Sequence, residues 1–164
     1  MVRSWFEWAD ALPSSIAIRE SVYGWPYLLT AHAVSMALFA GLVAMMDLRL
    51  LGVAHRRTPL SQVQRQLFPW LLGTLAVAAA TGATLLYSKP LLYYGKISFW
   101  TKIALMLLAG LNALVFDRIT SKGLAAWDLS PRPPLGARIA GALSLALWAG
   151  VIVLGRFTAY NWLD

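Results

Sequence analysis

Residues 27–46 read YLLTAHAVSMALFAGLVAMM, and His32 is the only acidic, basic or imidazole side chain among them. A helix rises about 1.5 Å per residue, so a run of this length crosses a hydrocarbon core of about 30 Å. Three similar runs follow along the chain. With their flanks they predict transmembrane helices over residues 27–54, 67–88, 97–120 and 137–160. The expected fold class is all-α, with a four-helix transmembrane domain over residues 26–164.

The composition agrees with a chain that lies in a bilayer. Of 164 residues, 59% are hydrophobic and 13% are charged, and the mean hydropathy is +0.63. A soluble domain of this size has too much surface for its volume to hide so many apolar side chains. The sequence has no cysteine, which excludes disulfides, iron–sulfur clusters and thiolate metal sites. It also lacks a basic stripe interleaved with aromatics and every soluble-enzyme motif, so we expect no nucleic-acid partner and no soluble-enzyme activity.

Residues 1–25 precede the first long apolar run and form a separate, amphipathic segment. Trp5, Phe6 and Trp8 have the amphipathic character that suits the lipid headgroup layer. Pro13 divides this segment into two short predicted helices. We interpret the segment as lying on the membrane surface.

Lysine and arginine are distributed unequally between the two predicted sides of the membrane. The side formed by the loops after the first and third helices holds eight: Arg49, Arg56, Arg57, Arg65, Arg118, Lys122, Arg132 and Arg138. The other side holds six: Arg3, Arg19, Lys89, Lys96, Lys102 and Arg156. Two of these six, Lys102 and Arg156, lie inside predicted helices. By the positive-inside rule we expect a multi-pass inner-membrane protein with both termini in the periplasm.

Three ionisable side chains from three helices are predicted to lie at one depth. His32, Lys102 and Arg156 lie about 6–8 Å below the outer surface, as the helix rise places them. An ionisable group inside a membrane costs at least about 2.5 kcal/mol, so it usually serves a function. Further candidates for contact with a ligand lie near this layer: Met36, Tyr87 and Tyr160.

This outer polar layer has a functional and a structural interpretation. Two cations and an imidazole, with no carboxylate near, suit a haem propionate, a quinone oxygen or a lipid phosphate. In the structural alternative, Lys102 and Arg156 extend to the headgroups and His32 bonds a neighbouring helix.

His32 is the candidate metal ligand, and haem b is a candidate cofactor beside quinone. A membrane haem b is usually held by two histidines, but His55 is roughly 35 Å away along the same predicted helix. The remaining options are His32 with Met36, with Met106 or with an open position, or two copies of His32 across a homodimer.

A second polar layer lies at the other membrane face. Asp47 and Arg49 end the first helix, and Asp117 and Arg118 end the third. Their corresponding positions predict two structural ion pairs, Asp47 with Arg118 and Asp117 with Arg49. Asn112 lies near mid-membrane, where we expect it to bond another helix.

The two halves of the chain resemble each other weakly. Residues 40–44 read AGLVA and residues 109–113 read AGLNA, an offset of 69 residues. Residues 73–75 read GTL and residues 141–143 read GAL, an offset of 68. A duplication would give a parallel repeat of two helical hairpins. Chance similarity between apolar helices is the alternative.

Three stretches carry a resemblance to a known family: DLRLLG at 47–52, GLNALVF at 110–116 after Lys102, and GRFTAY at 155–160. They resemble an uncharacterised family of bacterial four-helix inner-membrane proteins, and the resemblance extends over nearly the whole chain from Trp25. It implies the fold and no activity, because the family has no assigned function. The first-helix histidine is also loosely similar to that of membrane modules of copper-resistance proteins and b-type cytochromes.

The sequence therefore favours a membrane subunit with an outward-facing intramembrane site for a haem, quinone or lipid-like ligand. Such a subunit would serve electron transfer or a larger membrane complex. The alternative is a small transporter or channel for a metal ion or small solute.

Overall fold

The computed structural model describes residues 2–160, apart from the side chains of residues 120, 121, 159 and 160. These residues are almost entirely helical. The helices are α1 (Val2–Asp10), α2 (Pro13–Glu20), α3 (Gly24–Leu50), α4 (Leu60–Ser88), α5 (Pro90–Tyr94), α6 (Ile97–Val115), α7 (Leu124–Trp127) and α8 (Leu135–Tyr160). In the described chain, α3, α4, α8 and the helix that begins with α6 are long and apolar enough to cross a membrane. The all-α fold with four candidate spans is thus confirmed.

The first span ends earlier than predicted, at Leu50 instead of residue 54. Gly52 adopts φ +70°, a conformation that glycine reaches without strain. Its N–H donates to Arg49 O at 3.0 Å, and the N–H of Val53 donates to Leu48 O at 3.0 Å. This pair of bonds is a Schellman motif, which satisfies the last carbonyls and terminates the helix.

The second span begins earlier than predicted, at Leu60 instead of residue 67. Pro59 precedes the first turn, and Pro69 lies inside the helix. The free N–H groups of the first turn are satisfied by Asp128 from a distant loop. Its backbone carbonyl accepts from Leu60 N, and its carboxylate accepts from Ser61 N at 2.8 Å.

The third span changes helix type near its end. The α-helical part stops at Val115 and a π-helical turn, Phe116–Thr120, follows. The predicted end at residue 120 therefore includes this wider turn. The fourth span, α8, begins two residues before the predicted position.

The four spans pack in the order α4, α3, α8, α6. The largest interfaces join α3 with α4 and α6 with α8, and α3 also packs against α8. No comparable interface joins α4 with α6 among the described residues. A parallel repeat would relate the α3–α8 contact to an α4–α6 contact by two-fold symmetry. The packing lacks that symmetry, and the duplication stays a sequence prediction.

A small residue brings α8 close to α3. A Cβ atom on Gly141 would lie 3.0 Å from Asp47 O and 3.0 Å from Leu50 Cβ. Such close backbone approach is how helices associate where the surroundings are as apolar as the side chains. A buried apolar cluster lies at this end of the bundle: Leu50, Leu60, Phe116, Ala137 and Ala140. We call this end, which carries the residues 51–59 and 121–134 connections, the arginine-rich end.

The N-terminal segment packs on the opposite end of the bundle. Ser15 in α2 is fully buried, and its hydroxyl donates to the carbonyls of Tyr87 and Ser88 at 3.0 and 3.2 Å. Phe6 in α1 lies against Tyr94 in α5, with ring centroids 4.9 Å apart. Helix α2 is therefore attached to the end of α4, where Ser15 satisfies two of the last carbonyls, and α1 packs on α5. Their position on a membrane surface remains a prediction.

Candidate ligand site at His32 and Lys102

His32 in α3 lies directly against α4. Its ring Nδ1 is 3.1 Å from Ala78 O and 3.0 Å from Thr81 Oγ1. Gly82 leaves space for the ring at this crossing, because a Cβ there would lie only 3.0 Å from His32 Cε1. The imidazole is thus held in one orientation between two spans, and it is half-buried.

The partners of Nδ1 determine the tautomer of His32. A carbonyl oxygen can only accept, so the contact with Ala78 O requires the proton on Nδ1. The Thr81 hydroxyl donates to Val77 O at 2.7 Å, which leaves its lone pairs to accept from the imidazole. Nε2 therefore carries the lone pair, and no described residue hydrogen-bonds it. Histidines that ligate a metal or accept a proton commonly have this arrangement.

Lys102 in α6 is half-buried and close enough to His32 to interact with it electrostatically. Its Nζ lies 5.2 Å from the centroid of the Phe99 ring, within the range of a cation–π contact. Among the described residues it has no hydrogen bond and no ion pair. An ammonium in this environment has three donors to offer a ligand.

His32 and Lys102 lie beside two spans that share no sizeable interface in the described chain. His32 packs on α4 and Lys102 belongs to α6, and these two helices lack a close interface.

The other predicted site residues have different surroundings. Arg156 is exposed on α8. Met36 is half-buried one turn after His32. The Tyr87 hydroxyl is 2.6 Å from Ser14 Oγ, so it contributes to the attachment of α2. The side chain of Tyr160 lies outside the described part of the chain.

Sequence reasoning missed a buried polar contact at this end of the bundle. Lys96 is only 6% exposed, and its Nζ donates to Thr158 O at 2.6 Å. Thr158 Oγ1 is hydrogen-bonded to Ser98 Oγ at 3.1 Å. A cation at the carboxyl end of α8 is favoured by the helix dipole. The only sequence signal is a lysine just before a predicted helix, which is equally typical of a solvated loop.

The ion pairs predicted for the inner layer are wrong. Arg49 is fully buried, and its guanidinium donates to backbone carbonyls: Thr58 O at 2.9 Å, Asp128 O at 2.9 Å and Ser130 O at 3.4 Å. Asp117 and Arg118 are exposed on the π-helical turn, because the widened turn carries them away from α3. The loops that fold over the end of α3 take the place of the predicted partners.

Asp47 and Asn112 contact α8. The Asp47 carboxylate lies near Ser144 in α8, and its Oδ2 is buried without a partner in the described residues. Asn112 Nδ2 donates to Ala140 O at 2.9 Å, an interhelical bond of the kind expected from its position in an apolar helix. Both groups fix the packing of α8.

Four candidate spans and the polar groups between them define an integral, multi-pass α-helical membrane protein. The chain belongs to the family of unknown function DUF6644, whose profile matches residues 5–161. Neither the curated proteins nor the solved structures contain a match to it. The expected membership of an uncharacterised family is confirmed, and no comparison supports the loose similarity to copper-resistance or cytochrome modules.

Proposed function

We propose that this protein is an inner-membrane subunit that binds the polar head of a quinone at His32 and Lys102. The observation that carries the proposal is the fixed tautomer of His32, which leaves Nε2 as an acceptor near an ammonium without a hydrogen-bond partner. The subunit would serve electron transfer within a larger membrane complex or a homodimer.

The two groups match both oxidation states of a quinone head. A quinone carbonyl accepts a hydrogen bond from the Lys102 ammonium, and a quinol hydroxyl donates to His32 Nε2. A bond to a charged donor is stronger than one between neutral groups, so Lys102 would contribute most of the polar binding energy. The apolar tail would remain in lipid between α4 and α6, which share no sizeable interface.

Haem b fits the same histidine less well. Its iron would bind Nε2, and the bond from Nδ1 to Ala78 O is the usual support for such a ligand. The second histidine, His55, lies beyond the end of α3. Iron coordination by two histidines would therefore need His32 from another copy. An absorption spectrum separates the proposals, because a bound haem gives a Soret band and a quinone does not.

The orientation follows from charge. The arginine-rich end would face the cytoplasm and both termini the periplasm, which would put His32 and Lys102 in the outer half of the membrane. A C-terminal alkaline phosphatase fusion would then be active, and a fusion within residues 122–134 would be inactive. The reverse pattern would place the site in the inner half.

Quinone binding is tested by titrating decylubiquinone into the detergent-purified protein and following quenching of tryptophan fluorescence. Lys102→Met keeps the length of the side chain and removes the donors. His32→Asn keeps a donor near the Nδ1 position and removes the Nε2 acceptor. We expect Lys102→Met to weaken binding about tenfold or more, as for a lost bond to a charged group.

The control variant is Arg3→Gln, which removes a charge from an exposed residue at the same end of the bundle. It should bind like the wild type. Equal quenching in all four proteins would contradict the proposed site. Ion or solute flux in liposomes without saturable quenching would favour the transporter alternative.

A further inference from the structure

A second site lies at the arginine-rich end, away from His32. A cavity of about 710 Å³ lies between the loop after α3 and the loop before α8. Three of its lining residues are arginines from separate segments: Arg56, Arg132 and Arg138. No aspartate or glutamate lines it.

The cavity walls are held by specific contacts. A Cβ on Gly52 would lie 2.9 Å from Pro131 O, so the two loops touch backbone to backbone. Arg49 joins the two loops, because its guanidinium donates to Thr58 O on one loop and to Asp128 O on the other. The arginines of the cavity therefore project from a fixed frame.

The charges of this cavity are uncompensated. Within the described chain, the guanidinium groups of Arg56, Arg132 and Arg138 form no hydrogen bond and no ion pair. The nearest acidic residue on these loops, Asp128, is occupied by Ser61. All three arginines are exposed, and an anion between them would reduce the repulsion of their like charges.

The position of Arg138 in α8 also favours an anion in the cavity. It lies in the first turn of α8, where the helix dipole disfavours a cation and favours an anion. An anion in the cavity would therefore interact favourably with both the arginines and the end of the helix.

We propose that this cavity binds the phosphate group of an anionic ligand. Guanidinium groups match phosphate oxygens with paired hydrogen bonds, and three of them can surround one phosphate. The cavity is at the end of a membrane span, where lipid headgroups lie, and basic pockets between spans on the cytoplasmic side are typical sites for anionic lipid heads. A phospholipid and free phosphate carry this same group, and the test separates them.

The test measures thermal unfolding of the full chain in non-ionic detergent. The probes are phosphatidylglycerol, phosphatidylcholine, and inorganic phosphate against chloride at equal ionic strength. We expect phosphatidylglycerol to raise the Tm in a saturable way and phosphatidylcholine to have little effect. Arg56→Gln, Arg132→Gln and Arg138→Gln should each weaken the apparent affinity about fivefold, from the usual contribution of one basic residue to an anionic lipid.

Matched controls are Arg57→Gln and Arg65→Gln, which remove exposed arginines from the same end without touching the cavity. They should retain wild-type affinity. Saturable stabilisation by inorganic phosphate, lost in the same three variants, would assign the site to a soluble phosphate. Equal stabilisation by both lipids without a phosphate effect, or equal losses in controls and cavity variants, would overturn the proposal. The cavity variants should bind decylubiquinone normally, so this test and that of His32 fail independently.

Discussion

The carboxylate of Asp128 accepts two hydrogen bonds from Ser61, which lies 67 residues earlier in the chain. Ser61 N donates to Oδ1 at 2.8 Å and Ser61 Oγ donates to Oδ2 at 2.5 Å. Burial acts to raise the pKa of Asp128, but these bonds, the N–H of Leu60 and the charge of Arg49 together hold the pKa below its usual range. A loop before the fourth span thus caps the start of the second.

Replacement of this cap should destabilise the protein. Asp128→Ala removes the acceptor for the first turn of α4, and a lost cap of this kind costs about 1 kcal/mol. We expect a lower Tm in thermal unfolding by circular dichroism in non-ionic detergent. Glu20→Ala, an exposed acidic residue at the other end, is the control and should unfold like the wild type. An unchanged Tm for Asp128→Ala would show that the cap contributes nothing.

The effect of Asp128 should also depend on pH. Its pKa is lowered in the folded state relative to about 3.9 in the unfolded state, so its stabilisation is present above that pH and is lost as the pH falls further. The difference in Tm between the wild type and Asp128→Ala should therefore be constant from pH 7 to 5 and shrink towards pH 3. A difference that grows on acidification would contradict the hydrogen bonds described for the carboxylate.

Replacement of Arg49, even by lysine, should destabilise the protein and lower its Tm. The guanidinium bonds carbonyls on two loops at once, and an ammonium cannot reproduce that planar geometry. Arg49→Lys leaves buried carbonyls without donors, which costs about 1–3 kcal/mol. Arg57→Lys, at an exposed position nearby, should leave the Tm unchanged. Equal Tm values for the two variants would refute the role of Arg49 in joining the loops.

Asp47→Asn should preserve or raise stability. Asp47 is 5% exposed, its carboxylate lies near Ser144, and its Oδ2 has no partner in the described residues. Asparagine keeps an acceptor for Ser144 and removes a charge that burial penalises. We expect the midpoint of thermal unfolding to stay equal or rise by a few degrees, with Glu20→Gln as the control. A marked fall would indicate that the charge of Asp47 has a partner.

Composition and apolar run length were enough to predict the four spans, because crossing a bilayer constrains every residue of a helix. The end of α3 could have been predicted too, since Leu51-Gly52 is a local C-cap signal. The start of α4 could not, because its cap comes from Asp128 in a distant loop. The carbonyl partners of Arg49 could not be predicted either, because every residue has a backbone oxygen and no sequence pattern marks the ones that accept its hydrogen bonds.

At the candidate site, the sequence was enough to single out His32 but not to predict its contacts. An ionisable side chain within an apolar run is costly in lipid, and this cost marks the histidine as a candidate functional residue. Its partners, Ala78 and Thr81, come from α4, and the space for its ring comes from the missing side chain of Gly82. The register between two spans decides those contacts, and apolar periodicity alone does not determine that register.

The most direct measurement of the proposed function is ¹⁵N NMR of histidine-labelled protein. The chain has two histidines, so His55→Gln assigns the signals of His32. We predict that His32 is neutral with its proton on Nδ1, and that its Nε2 resonance shifts on saturation with decylubiquinol but not in Lys102→Met at the same concentration. A proton on Nε2, or an Nε2 resonance that decylubiquinol leaves unchanged in the wild type, would contradict the proposed site.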